Sequence, residues 1–232
     1  MPLYKLYYGK LRYEFPTYFL LSREIFPVLS KLPKWWSYPG PIFNKEKVIP
    51  PETEDFLKKC ENETIVYVGF GSFSLEEFYG NDSYHTKNVI FNTISRLDFC
   101  AIFLNATFKV SPQSEAVSNP KFHFPNHVPH TLIFPKVNVI IHHGGSGTNQ
   151  IAVASGTMAI SIPIFEEQRI TSRFTSSYGT LLVLENSELS EKNLESAIQK
   201  ALRVKDIKSK AQLVKDSSLG TKAIYNDMIS WL

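Results

Sequence analysis

The stretch "VNVIIHHGGSGTNQIAVASG", Val137 to Gly156, runs from an apolar segment through two histidines and three glycines into a small-residue segment of helical character. The apolar part is β-branched and stops at polar groups, as a buried strand does. Gly144, Gly145 and Gly147 let the backbone turn sharply and admit a ligand without side-chain obstruction. A helix that begins at Ser146 has its first N–H groups free and the positive end of its dipole at the bend. A phosphate or diphosphate is the natural occupant of such a place. Ser146 and Thr148 add hydroxyls, and His143 adds a ring N–H.

Other phosphate and nucleophile motifs fit less well. No lysine follows the glycines, so the loop is not a Walker turn. Thr148 stands where a nucleophile elbow needs its last glycine. Neighbouring histidines on a strand point to opposite faces, and no third ligand is spaced near His142 and His143, so no metal is expected. The bland alternative is a glycine-rich strand–helix turn with one histidine packed and one solvated.

Outward from this stretch, strand-like and helix-like segments alternate. "TEDFLKKC" reads as a short helix with a threonine cap, and "ETIVYVGFGS" as a buried strand ended by glycines. A helix is expected over "KNVIFNTISRL" and a strand at "FCAIFLN". After "VNVIIHH" come a helix from Ser146, a strand at "MAISIPIF" and a helix at "EEQRITSRFTSSY". Three helical segments follow: "SEKNLESAIQKALRV", "KDIKSKAQLVKDS" and "TKAIYNDMISWL". This alternation predicts an α/β fold, a Rossmann-like doubly wound parallel sheet. Ligands bind such sheets beyond the carboxyl ends of the strands. Three loops carry polar groups there: "GFGSFS", "HHGGSGT" and "PIFEEQ". In them Ser72 can donate to a phosphate oxygen, and Glu167 with Gln168 can bond sugar hydroxyls. Locally, a turn serine and a solvated helix start explain the same residues.

Bulk properties bound the rest. The 232 residues suffice for a full core, and 43% hydrophobic content suits a globular protein. With 25 basic against 22 acidic residues, the charge is too even for a nucleic-acid partner. No apolar run reaches the ~20 residues of a membrane span, so no transmembrane segment is expected. Cys60 and Cys100 form no metal spacing and read as reduced thiols of a cytoplasmic protein. No signal peptide is evident, so the sequons at Asn62, Asn81 and Asn105 are expected to be idle. Residues 1 to about 50 are rich in aromatics and prolines and read as an irregular linker.

Together, "IVYVGFGSFS", "HVPHTLIFPKVNVIIHHGGSGTNQIAVASGT" and "ISIPIFEEQ" resemble the UDP-glycosyltransferase superfamily. The match is to the donor-binding, C-terminal half of its two-lobed GT-B fold, closest in flavour to the sterol glucosyltransferases. It covers roughly residues 40 to 232. The resemblance implies a remnant of the N-terminal lobe and interlobe linker at 1–45 and a nucleotide-sugar donor-binding domain at 46–232. It implies diphosphate contacts from Ser72, His143, Gly145, Gly147 and Thr148, with His142 lining the same pocket. Val128 and its backbone would pack the uracil, and Glu167 and Gln168 would meet the transferred sugar. Two departures stand out: Glu167 replaces the usual aspartate, and Met158 stands where relatives place a proline.

The family's catalytic base sits in the N-terminal lobe, and none of the six histidines here occupies such a position. The implied function is UDP-sugar-dependent hexosyl transfer, with the UDP-sugar as co-substrate and no separate cofactor. The implied acceptor is a small lipophilic molecule such as a sterol, and a separate N-terminal-lobe chain is a candidate partner. The expected location is cytoplasmic or peripheral to membranes. The alternative reading is a non-catalytic nucleotide-sugar-binding fragment or subunit. A dinucleotide binder is disfavoured, because no G-x-G-x-x-G opens the first strand–helix turn.

Overall fold

The computed structural model describes residues 48–216 apart from 72–73, 80–82, 112–114 and 206, together with 17–18, 22, 24–25, 36–37, 41 and 43. Near the N-terminus a short strand β1 (Thr17–Tyr18) pairs in parallel with β2 (Trp36–Ser37). Most of the linker segment at 1–45 and all of the last expected helix, 221–232, lie outside the described residues.

The main sheet has six strands, all parallel: β3 (Ile65–Gly69), β4 (Cys100–Phe103), β5 (Phe122–His123), β6 (Val139–His142), β7 (Met158–Ser161) and β8 (Leu181–Val183). Their spatial order is β5-β4-β3-β6-β7-β8. Counted within the sheet this is 3-2-1-4-5-6, the dinucleotide-fold order, with its reversal between β3 and β6. Gly69 is paired with His142 at that junction, so the loops after β3 and β6 leave the sheet side by side.

Strands β3, β4, β6 and β7 are buried throughout, as continuous apolar runs in a doubly covered sheet must be. Their side chains divide by alternation. Val66, Val68, Ala101, Phe103, Val139, Ile141 and Ile160 share a core with Ile90 and Ile94 of the helix Ser83–Arg96 and with Leu194 and Ile198 of the helix Glu191–Arg203. Tyr67, Ile102, Ile140 and Ala159 face the other way, against Phe56, Ile133 and Phe134. Ser190 caps the helix Glu191–Arg203 by accepting the Asn193 N–H at 3.2 Å.

Two expectations change. The first helix runs Pro51–Lys59, with Pro50 rather than Thr53 at its cap. Proline suits its first position, where the missing N–H would go unused anyway. Thr53 instead lies fully buried in the first turn, with Oγ1 2.9 Å from His123 Nε2. The cysteines are also not free: Cys60 and Cys100 form a disulfide with Cα atoms 6.4 Å apart. Cys60 ends the first helix and Cys100 opens β4, whose first residue pairs with Ile65. A parallel crossover hides this proximity in the sequence. Among the described residues no helix is long and apolar enough to cross a membrane.

Candidate functional site

At the sheet reversal, β6 ends at His142 and the chain turns through Gly144, with φ of +87°, into the helix Ser146–Ser155. Only glycine adopts that conformation without strain. The turn is held from three elements. His142 Nδ1 accepts the Gly144 N–H at 3.0 Å. The Gly144 carbonyl accepts from Asn149 Nδ2 at 2.9 Å, in the following helix. It also accepts from Thr171 Oγ1 at 2.8 Å, in the helix Glu166–Ser177. Beneath it, the Ser161 and Ser172 hydroxyls bond each other at 2.7 Å. Gly145 is the N-cap of the helix Ser146–Ser155 and gives it no side-chain cap, so its first N–H groups stay free for a ligand.

His143 lies beside this helix start, its ring packed between two glycines. A Cβ on Gly145 would stand 2.6 Å from its Nε2, and one on Gly71 3.1 Å from its Cε1. Burial pushes its pKa down to about 4, so the ring is neutral near pH 7. Its Nδ1 is buried without a partner, which leaves Nε2 as the nitrogen that a ligand can reach. We assign the proton to Nε2, because an orphaned buried N–H is rarer than an orphaned acceptor. Burial, with His143 and His130 adding to it, holds His142 well below the ordinary histidine range.

A cleft of about 380 Å³ opens over the turn. Its walls are Phe70 and Gly71 after β3, His143 and Gly145 to Thr148 after β6, and Phe165, Glu167 and Gln168 after β7. The three loops singled out in the sequence therefore meet. Of the expected site residues, His143, Gly145, Gly147, Thr148, Glu167 and Gln168 line the cleft. Glu167 is exposed. Gln168 is nearly buried, and its Oε1 already accepts the Ile164 and Phe165 N–H groups at 2.9 and 3.2 Å. Ser72 lies outside the described residues. His142 and Val128 do not line the cleft: His142 is fully buried beneath the turn, and Val128 packs in the core with Ile133 and Phe134.

Sequence reasoning passed over several residues. Thr107 Oγ1 accepts the Phe70 N–H at 2.9 Å and so pins the loop after β3. Asn149 and Thr171 hold Gly144 from two helices. Phe165 presents half its surface at the mouth of the cleft. Only Asn149 carried a sequence signal, as a polar residue on the inner side of a small-residue helix. His130 is engaged elsewhere, its Nε2 2.8 Å from Tyr67 Oη and its ring stacked on Phe134.

The family described as "Erythromycin biosynthesis protein CIII-like, C-terminal domain" matches residues 96–223. Similar curated proteins include the sterol 3-beta-glucosyltransferases of Vanderwaltozyma polyspora, 29% identical over 212 residues, and Saccharomyces cerevisiae, 24% identical over 231. These alignments cover 87% and 92% of this chain but only 17% and 19% of those proteins, so the chain spans less than a fifth of their length. Among solved structures, the calicheamicin glycosyltransferase CalG4 superposes with a TM-score of 0.73 at 14% identity, over 98% of this chain and 54% of that one. The glycotransferase of kitacinnamycin does so with a TM-score of 0.71 at 15% identity, over 92% and 53%. At such identities the likeness establishes the fold, the GT-B lobe.

Proposed function

This chain belongs to the family of erythromycin biosynthesis protein CIII-like C-terminal domains, and we propose that it is the donor-binding lobe of a glycosyltransferase that takes its sugar from a UDP-sugar. The observation that carries this reading is the cleft at the sheet reversal, where a free helix N-terminus and a neutral histidine meet. In this reading residues 46–232 bind the donor, and 1–45 are the end of an acceptor lobe and its linker.

The diphosphate lies against the N–H groups of Gly145 to Thr148, the hydroxyls of Ser72 and Thr148, and Nε2–H of His143. His142 acts from beneath, by fixing Gly144. Glu167 meets the sugar hydroxyls with its carboxylate, and Gln168 with the amide NH₂ that its cap leaves over. Val128 serves the uracil through the backbone beside it, its side chain being spent in the core. In transfer, an acceptor hydroxyl oxygen bonds to the anomeric carbon as the bond to UDP breaks. The leaving diphosphate keeps the electron pair, and the helix dipole and surrounding donors stabilise its charge. The hydroxyl proton goes to a base of an acceptor lobe, in the same polypeptide or in a separate chain. The names of the yeast relatives favour a sterol-like acceptor, met at a membrane surface to which the protein is peripheral. Free thiols were one support of the expected cytoplasmic location, and the Cys60–Cys100 bond removes that one.

One observation favours binding without transfer by these residues alone. A general base works best with a pKa near the operating pH, and the cleft histidine is held at about 4. Calorimetric titration with UDP tests the reading first: heat of binding with UDP is expected, and its absence refutes it. Assay with UDP-glucose and a panel of sterol and phenolic acceptors then separates the two forms. Transfer is expected only when an acceptor lobe is supplied.

A further inference from the structure

The Cys60–Cys100 disulfide changes the meaning of a motif that the fold leaves idle, the sequon Asn62-Glu63-Thr64. We propose that Asn62 is an N-glycosylation site, filled in the same oxidising compartment in which Cys60 and Cys100 are joined. The proposal stands apart from the nucleotide-binding reading and would hold for a chain that binds no UDP.

Two independent observations meet within three residues of chain. The first is the bond itself. Both cysteines are buried, at 1% and 2% exposure, so the link belongs to the folded core rather than to a surface oxidised by accident. Compartments rich in thiol reductants keep such pairs open, whereas secretory lumens close them. The second is the placement of the sequon. Asn62 is exposed and lies in a tight turn closed by the Glu63 N–H on the Cys60 carbonyl at 2.9 Å. Among the described residues its side chain makes no hydrogen bond, so a sugar on Nδ2 displaces nothing.

Asn105 offers the contrast. Its amide nitrogen donates to Asn126 Oδ1 at 2.9 Å, and its sequon threonine, Thr107, is fully buried under the loop after β3. A glycan there would disturb the wall of the cleft. Asn62 stands at the other end of the sheet, before β3, whereas the cleft follows β3. The five-residue strand between them spans about 17 Å. A glycan on Asn62 therefore leaves the cleft open.

The chemistry closes without the protein acting as catalyst. The donor is an oligosaccharide carried on a lipid pyrophosphate. Asn62 Nδ2 bonds to the first sugar's anomeric carbon, the carbon–oxygen bond to the pyrophosphate breaks, and the lipid pyrophosphate leaves with the electron pair. One amide proton is lost to the transferase's base. The two thiols give up two protons, and two electrons pass to a disulfide-carrying oxidoreductase, which ends as its dithiol.

The test uses the full-length protein isolated from the cells that make it, alkylated without reduction. Peptide N-glycosidase in ¹⁸O water should convert Asn62 to labelled aspartate and remove the glycan's mass. The peptides holding Cys60 and Cys100 should migrate as one until reduced. Asn62→Gln and Thr64→Ala should each abolish the mass shift, Thr64→Ser should keep it, and Asn105→Gln should leave it unchanged. The sequon variants guard against a fold lost through any one substitution. Unmodified Asn62, a glycan on Asn105 in its place, or alkylated Cys60 and Cys100 would each overturn the proposal.

Discussion

Substituting Gly144 by alanine should cost the fold about 3–6 kcal/mol. The backbone there has φ of +87°, where a Cβ adds roughly 1–2 kcal/mol of strain. That Cβ would press on Ser172 Oγ, stand 2.5 Å from Ser161 Oγ and lie 3.1 Å from the Gln168 carbonyl. Making room means overpacking a buried site, at ~1–3 kcal/mol. It also parts the Ser161–Ser172 hydroxyl pair, for about 1 kcal/mol more. Domains of this size hold only ~5–15 kcal/mol in all, so the change takes a large share. Urea denaturation followed by circular dichroism measures it. The parts separate in a Ser172→Ala background: there the steric part of the loss should shrink while the backbone strain remains. A Gly144→Ala protein within ~0.5 kcal/mol of its parent would refute the reasoning, and so would an unchanged loss in the Ser172→Ala background.

His143→Ala should weaken UDP by ~1–3 kcal/mol, or roughly 5- to 150-fold, and leave uridine nearly unaffected; equal losses for both by calorimetry would remove the ring from the diphosphate site. With the folded His143 at about 4 and the ordinary value at 6.5, the unfolded chain binds a proton that the folded chain refuses. Stability should therefore be complete above pH 6.5 and fall as pH drops toward 4, by about 3 kcal/mol from this group, with His142 acting in the same direction. Urea midpoints between pH 7 and 4.5 test this, and a profile no flatter in His143→Gln would contradict the assignment. Replacing both Cys60 and Cys100 by serine should cost about 4 kcal/mol, the loop-closure value for a 40-residue separation. Reductant should lower the parent's melting temperature toward that of the double variant and leave the variant itself unmoved; no shift in the parent would count against the bond.

The long buried strands were plain in the sequence because "IVYVG" and "VIIH" are continuous apolar runs ended by glycine or histidine. The two- and three-residue strands Phe122–His123 and Leu181–Val183 were not, since neither is long enough to show a period. The cleft was legible at its glycines, for which the turn leaves few substitutes. Its supports were not. Thr107 and Thr171 act through hydroxyl hydrogen bonds to backbone atoms, contacts that side-chain spacing does not encode. The disulfide escaped for a related reason: parallel strands place residues together only through a long crossover, and local spacing is blind to it.

The three hydrogen bonds on Gly144 bear on the thermodynamics of ligand entry. A phosphate-binding loop that must first be ordered loses ~1–2 kcal/mol of backbone entropy per residue on binding. Here the turn is fastened to a strand and two helices before any ligand arrives. Over Gly144 to Gly147 the sparing is of order 4–8 kcal/mol, so ordering of the loop is not subtracted from the free energy of anion contact. The lobe is thus preorganised for its anion.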